Sequence, residues 1–156
     1  MHKSLIAAAL GALTVGASTL ALAQSTEDLI KYRQSGYTFM SWNMGKIKAQ
    51  VVDEKVPYDQ AQVAAAANAI AAIANSGMGA LYPKGSDMGT GWKETRLKPE
   101  FFEEPEKVRD IAVNFVQQAN KLQEVAAAGD QAAIKAQFGE VGKACKACHD
   151  DYREEE

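Results

Sequence analysis

Apolar side chains recur every three or four residues in four segments of this chain, and no segment sustains the strict apolar–polar alternation of a half-buried strand. Spacings of three and four place side chains on one face of a helix. Four amphipathic helices of about 18 to 25 residues each account for most of a chain of this length. The pattern therefore predicts an all-α fold, an antiparallel (up-down-up-down) four-helix bundle with a long loop between helices 2 and 3.

The first two helices differ in composition. The first is predicted to start at Ser25 or Thr26, either of which can cap it. Its core-facing row consists of Ile30, Arg33, Tyr37, Met40, Met44, Ile47 and Val51. The second is predicted to open at Pro57, a favourable first-turn residue. Its row consists of Val63, Ala66, Ile70 and Ile73, and its many alanines permit close approach of a neighbouring helix.

The last two helices are predicted to be separated by Gly129, which ends the third, and Asp130, which caps the fourth. The third begins near Pro105, and its row is Val108, Ile111, Phe115, Ala119, Leu122 and Ala126. The row of the fourth is Ile134, Phe138, Val141, Cys145, Cys148 and Tyr152. Both cysteines of the chain are therefore expected in the core-facing row.

The connection between the second and third helices, residues 76–104, is unusually long for a compact domain. It contains Trp92, Phe101 and Phe102, and disordered segments are poor in large aromatic side chains. We therefore expect an ordered loop that covers an apolar group other than the four helices.

The first 23 residues resemble a secretory signal peptide. Lys3 precedes an apolar run from Leu5 to Leu22, and Ala21-Leu22-Ala23 has the small-x-small pattern of a cleavage site. An uncleaved membrane anchor is the alternative, because the run approaches membrane-spanning length. We predict cleavage before Gln24, so that residues 24–156 form the mature single domain, with no membrane segment.

The charge pattern argues against nucleic-acid binding. The full chain has a formal net charge of −3, which becomes −4 when residues 1–23 are removed. Lysine and glutamate are mixed along every segment, so no basic face is expected.

The segment Cys145-Lys146-Ala147-Cys148-His149 has the spacing of a c-type haem attachment site. On a helix, positions i, i+3 and i+4 share one face, so two thiols can bond to the haem vinyl groups while the imidazole reaches the iron. A redox disulfide normally has its first cysteine at a helix N-terminus, and a zinc site needs four ligands. We therefore predict one covalently attached haem c, held by Cys145 and Cys148, with His149 as the metal ligand.

No second histidine remains once His2 is removed with the signal peptide. The sixth iron position is then open to Met, Lys, Tyr or a small molecule, or it is empty. The mature chain also offers no second histidine and no carboxylate pair for acid–base chemistry, so no enzymatic activity is predicted.

Three segments, "KYRQSGYTFM", "ETRLKPEFFEEPEKV" and the C-terminal "CKACHDDYR", together resemble cytochrome c′, the high-spin bundle cytochromes of bacterial periplasms. The resemblance covers the whole mature chain. It implies a periplasmic protein with a five-coordinate haem whose proximal ligand is His149. Family members usually dimerise, and the small residues of "AAAANAIAAIA" support a homodimer through the first two helices.

The resemblance also implies roles for side chains outside the attachment motif. Arg33 matches an arginine that pairs with a haem propionate, Tyr37 takes the distal position, and Arg153 lies one turn beyond the ligand. The full set of additional cofactor-binding candidates is Arg33, Gln34, Tyr37, Met40, Phe102 and Arg153. Phe102 departs from the family pattern, which commonly has tryptophan there. From the residues alone, Arg33 could equally extend to solvent at the bundle end, Arg153 could pair with Asp150 or the acidic tail, and Tyr37 could be an ordinary core residue.

Two functions follow as hypotheses. A distal side packed by Tyr37 and Met40 would admit small neutral gases such as nitric oxide and carbon monoxide. Alternatively, Met40 or Met44 would bind the iron and make the protein a low-spin electron carrier, although methionine is also common in ordinary cores. No segment of the sequence identifies a redox partner.

Overall fold

The computed structural model describes residues 24–155. The signal peptide predicted for residues 1–23 lies outside the described residues. Four helices dominate the structure: α1 (Thr26–Ile47), α2 (Gln60–Ala74), α3 (Pro105–Ala128) and α4 (Gln131–Tyr152). The predicted all-α helical bundle is confirmed. None of the helices within residues 24–155 has the length and apolarity needed to cross a membrane.

Local capping explains where the helices start. The Ser25 side chain accepts a hydrogen bond from the Asp28 N–H at 3.1 Å, and Asp130 accepts from the N–H groups of Ala132 and Ala133 at 3.0 and 3.1 Å. The predicted start of α2 at Pro57 is wrong. Asp59 is the cap, accepting from the Gln62 N–H at 3.0 Å, and this pairing sets the helix start at Gln60.

The bundle packs in chain order, with α1 against α2, α2 against α3 and α3 against α4. The end of α1 continues as a π-helical segment, Lys48–Val52, and this segment also contacts α4. The core lies between the four helices, and its largest members are fully buried. They are Ile47, Ile70, Leu122, Ile134, Val63 and Val141.

Tyr37 and both cysteines, all predicted in core-facing rows, lie nearer the surface than the periodicity indicated. Tyr37 is 40% exposed, and its hydroxyl accepts a hydrogen bond from Tyr82 of the loop at 3.0 Å. Cys145 is half-buried against the core, whereas Cys148, nearer the end of α4, is half-buried outside the core cluster. Cys148 therefore lies outside the core cluster, although Tyr152, the next residue of the same row, is buried.

The loop between α2 and α3 is ordered, as predicted. It contains two short 3₁₀ turns, Met78–Leu81 and Pro99–Phe102. Ser86 in the loop is completely buried. Trp92 is 71% exposed, but its indole N–H donates to the Ser35 hydroxyl at 2.7 Å and so attaches the loop to α1.

Candidate functional site

The three residues of the attachment motif lie in the last two turns of α4. Cys145 and Cys148 are both free thiols, and both are half-buried. Burial raises the pKa of each thiol, so both are protonated at neutral pH. A redox-active cysteine pair requires a lowered thiol pKa. Within residues 24–155, no group of three or more His, Cys, Asp or Glu side chains could hold a metal ion such as zinc. The redox and zinc alternatives therefore gain no support.

His149 remains partly accessible to solvent, yet the protein atoms around its ring lower its pKa. The charge of Arg96 acts in the same direction, and Asp150 opposes it. The imidazole is therefore neutral at neutral pH, which is the form that binds metals.

A short antiparallel pairing holds the end of α4 beside the loop. Leu97 pairs with Arg153, the Lys98 N–H donates to the Tyr152 carbonyl at 3.0 Å, and the Glu154 N–H donates to the Arg96 carbonyl at 2.8 Å. Arg153 itself has an extended backbone and an exposed side chain, and it lines the same open cleft as His149. Its N–H still donates to the His149 carbonyl at 3.1 Å, one turn back.

Arg33 is 4% exposed, and its guanidinium is bound entirely by neutral acceptors of the loop. It donates to the Leu81 carbonyl, the Ser86 hydroxyl and carbonyl, and the Thr95 hydroxyl, at 3.3, 2.7, 2.5 and 2.7 Å. Burial lowers the pKa of Arg33, and the negative charges of nearby groups, including Asp87, oppose that shift. The side chain is a buried cation, not one that extends to solvent at the end of the bundle.

Gln34, the next residue, binds the same loop. Its amide nitrogen donates to the Lys93 carbonyl at 2.9 Å, and its amide oxygen accepts from the backbone N–H groups of Trp92 and Lys93 at 2.7 and 3.3 Å. Gln34, a predicted cofactor-binding residue, thus joins the loop to α1 through its side-chain amide.

Tyr37, the predicted distal residue, contacts the loop through its hydroxyl. Desolvation by the atoms around its phenol raises the pKa of Tyr37, the hydrogen bond with Tyr82 lowers it, and Cys148 and Cys145 are close enough for their charges to raise it further. The Tyr82 hydroxyl lies 3.0 Å from the Tyr37 hydroxyl. The effect of both cysteines on the pKa of Tyr37 is consistent with the predicted site.

Tyr82 belongs to an aromatic cluster that the sequence prediction missed. Its ring stacks on Phe101 with centroids 4.7 Å apart, and Phe101 meets Phe102 and Tyr152 edge-on at 5.3 and 5.8 Å. Phe102, a predicted site residue, is half-buried in this cluster. The available signal was the aromatic residue at the end of "GMGALY" in a loop already expected to cover an apolar group.

Met40 and Met44 lie on the core side of α1. Met40 is 5% exposed and belongs to the same buried cluster as Ile47 and Ile70, and Met44 packs against that cluster. Both methionines are therefore core residues of α1.

Known proteins resemble this chain over most of its length. A family model described as cytochrome c′ matches residues 28–153. The chain belongs to the cytochrome c′ family. Members of this family carry covalently attached haem c, and this is the cofactor of the present chain.

Cytochrome c′ from Allochromatium vinosum is 56% identical over 94% of both chains. A solved cytochrome c′ with ligand-controlled dimer dissociation is also 56% identical, covers 85% of this chain and 99% of its own, and has a TM-score of 0.80. The Alcaligenes xylosoxidans protein has been solved as a carbon monoxide-bound variant and as a nitric oxide complex of another variant. Both are 33% identical, with TM-scores of 0.74 and 0.73, and cover 84% of this chain and 98% of their own.

The donors of this site suit a covalently attached haem. Two free thiols and a neutral imidazole lie within one helical turn at the end of α4. A buried guanidinium has only neutral hydrogen-bonding partners in the described part of the chain, and a buried charge is normally paired with an opposite one. A haem supplies the apolar ring system, the iron and the carboxylates that these groups can bind.

Proposed function

We propose that this cytochrome c′ has a five-coordinate, high-spin haem and binds small neutral diatomic gases, with nitric oxide and carbon monoxide as the ligand class. Cys145 and Cys148 form the two thioether bonds, and His149 is the protein ligand of the iron. The observation that carries the proposal is the burial of Met40 in the hydrophobic core, with Met44 packed against the same cluster. Once bound, the haem iron supplies the reversible coordination of the gas.

Tyr37 acts as a steric gate at the sixth coordination position. A phenol there offers a bulky, protonated side chain, since the pKa of Tyr37 is raised by desolvation and the hydroxyl stays neutral. Such a side chain keeps water and anions away from the iron, and a neutral diatomic gas binds by displacing the ring. The gas complexes of the Alcaligenes xylosoxidans protein support this ligand class.

Arg33 is proposed to pair with a haem carboxylate. Its burial, its charge and its lack of an anionic hydrogen-bond partner within residues 24–155 support that role. Gln34 fixes the loop next to it, Met40 and Phe102 complete the apolar surroundings, and Arg153 lies on the His149 side.

The alternative is a low-spin electron carrier in which Met40 or Met44 binds the iron. Either methionine would have to leave the hydrophobic core to do so, because Met40 is almost fully buried there and Met44 packs against the same cluster. The burial of Met40 therefore favours gas binding over the electron carrier.

We further propose that the mature protein begins at Gln24, resides in the periplasm and acts as a binding protein rather than an enzyme. A homodimer through α1 and α2 is supported by the exposed aromatic side chains of Phe39 and Trp42 on α1. It is also supported by the small side chains of Ala65 and Ala72, which lie exposed on α2. The solved relative with ligand-controlled dimer dissociation supports the same state.

Gas titration of the ferrous protein tests the proposal. Carbon monoxide and nitric oxide are expected to bind stoichiometrically with the haem, with the change followed by optical absorption. Cyanide added to the ferric protein is expected to bind weakly, since the neutral apolar gate disfavours anions. Failure of carbon monoxide to bind at saturating pressure would contradict the proposal.

A further inference from the structure

Tyr82 is the residue in the loop with the most specific connection to the proposed gate. Its hydroxyl donates to the Tyr37 hydroxyl at 3.0 Å. The two residues are 45 positions apart in the chain, so the hydrogen bond joins the loop directly to α1. Tyr82 was not among the residues that the sequence pattern identified.

The hydroxyl of Tyr37 has no other hydrogen-bond partner in the described part of the chain. Tyr37 is also 40% exposed, so packing contacts surround only part of its ring. A tyrosine on a helix can change rotamer about its first side-chain bond unless neighbouring groups prevent it. The hydrogen bond from Tyr82 is therefore the specific contact that selects one position for the Tyr37 ring.

Tyr82 is itself held on two sides. Its ring stacks on Phe101 with centroids 4.7 Å apart and planes inclined by 25°, and the Arg33 guanidinium carbon lies 4.6 Å from its ring centroid. Arg33 also donates to the carbonyl of the preceding residue, Leu81, at 3.3 Å. A buried cation over an aromatic face and an offset stack both restrict the ring.

We propose that Tyr82 is a positioning residue that sets gas affinity by holding Tyr37 in its gating position. The inference rests on the proposed function, because it assigns to Tyr82 a role that acts through the gate. The loop thus affects the gas affinity of the haem, because it fixes the position of Tyr37 on α1. Arg33 contributes indirectly, since the same guanidinium fixes the loop and lies against Tyr82.

Substitution of the hydroxyl alone provides the test. Tyr82→Phe keeps the ring that stacks on Phe101 and removes the donor to Tyr37. In the ferrous holoprotein, affinity for carbon monoxide is expected to rise about two- to tenfold, the range of a single hydrogen bond. Tyr37→Phe removes the other half of the pair and is expected to have a similar effect.

The double variant separates positioning from an independent effect. If Tyr82 acts only through Tyr37, the protein with both substitutions has the same affinity as either single variant. Ultraviolet resonance Raman spectra of tyrosine in the holoprotein give a second readout, because the phenol bands respond to hydrogen bonding. Tyr82→Phe is expected to shift the Tyr37 signal towards that of a phenol whose oxygen accepts no hydrogen bond.

Tyr58→Phe is the matched control. The Tyr58 hydroxyl donates to the Gly129 carbonyl at 3.4 Å, next to the turn between α3 and α4, so its removal also deletes one tyrosine hydrogen bond. Carbon monoxide affinity in this variant should equal that of the parent.

Three results overturn the inference alone: unchanged affinity in Tyr82→Phe, effects that multiply in the double variant, or an unchanged Tyr37 Raman signal. Each of these results is compared with the carbon monoxide affinity of Tyr37→Ala. If Tyr37→Ala raises the affinity and Tyr82→Phe does not, the gate stands and the role of Tyr82 is rejected. If Tyr37→Ala also leaves the affinity unchanged, the proposed gate itself is rejected, and the role of Tyr82 with it.

Discussion

Arg33 and Tyr37 are one helical turn apart on α1, but they differ in burial and in hydrogen bonding. Arg33 is almost completely buried and joins the helix to the loop by four hydrogen bonds, whereas Tyr37 is partly exposed and makes one. Apolar periodicity places both residues in the same row. Periodicity cannot predict this difference in burial and hydrogen bonding. The hydrogen-bond partners of both residues are in the loop, 45 to 62 positions further along the chain.

Replacement of Tyr37 tests the gate at this scale. In Tyr37→Ala the ring no longer has to move aside for a ligand, which removes a packing cost of about 1–3 kcal/mol. Carbon monoxide affinity of the ferrous protein should therefore rise about five- to a hundredfold, since each 1.4 kcal/mol is a factor of ten.

Optical titration measures this affinity, and Tyr32→Ala serves as a control. Tyr32 is an exposed tyrosine of the same helix, so its replacement should leave carbon monoxide affinity unchanged. An affinity in Tyr37→Ala within about twofold of the parent, with an unchanged fold, would show that Tyr37 does not guard the iron.

At the scale of the elements, local signals were sufficient for most of the helices and for the attachment motif. Cys145, Cys148 and His149 lie on one helix, so their relative positions follow from the spacing alone. The start of α2 was predicted wrongly because a proline at a favourable position outweighed the capping carboxylate of Asp59. Both signals are local, and the contact from Asp59 to Gln62 decided between them.

The loop could be predicted only in part. Its aromatic residues indicated order, but Ser86, Thr95 and Tyr82 each have a side-chain hydrogen-bond partner on α1, at least 45 positions away. Sequence periodicity contains no information on such contacts, since it describes only neighbours within a helix or strand. The role of the loop in holding Arg33 therefore became apparent only in the structure.

Gly91 provides a test of how closely the loop packs on α1. A Cβ atom at this position would lie 2.6 Å from the Gln34 amide oxygen, 2.8 Å from the Lys31 backbone nitrogen and 2.9 Å from the Ile30 side chain. The helix backbone cannot move easily, so Gly91→Ala should displace the loop and lower the free energy of unfolding by about 1–3 kcal/mol.

Guanidinium unfolding of the holoprotein measures that change. Gly79→Ala is the matched control, because a Cβ atom at Gly79 has no neighbour within 4 Å among the described residues. Equal unfolding midpoints for the two variants would contradict the close loop–helix contact.

At the scale of the whole molecule, Glu104 ties the start of α3 to the end of α4. Its carboxylate accepts from the Tyr152 hydroxyl at 2.6 Å and pairs with Lys107 at 3.2 Å, and Lys107 also pairs with Asp151 at 3.0 Å. Burial, together with the hydrogen bond to Glu104, raises the pKa of Tyr152 to about 12. The end of the helix that carries the attachment motif is therefore held by both the loop and α3.

This network predicts a dependence of stability on pH. The hydrogen bond from Tyr152 and the ion pair with Lys107 lower the pKa of Glu104. A lowered pKa in the folded state stabilises the protein fully above the ordinary glutamate pKa of about 4.3. That contribution is lost as the pH falls through the lower pKa of the folded state.

Comparison with Glu104→Gln isolates the effect. Thermal unfolding of both holoproteins should differ most near about pH 7 and converge as the pH falls below the ordinary glutamate pKa of about 4.3. Glu103→Gln removes an adjacent, exposed carboxylate and should show no such convergence. A difference between parent and Glu104→Gln that stays constant with pH would contradict the assignment.

The electronic state of the iron tests the central claim most directly. If the haem is five-coordinate, as proposed, the ferric holoprotein at neutral pH should be high-spin. Electron paramagnetic resonance of the purified ferric protein, recorded with its optical spectrum, measures this state. A high-spin spectrum is the result that the account predicts. A low-spin spectrum that becomes high-spin in Met40→Ala or Met44→Ala would contradict it and establish a methionine as the sixth ligand.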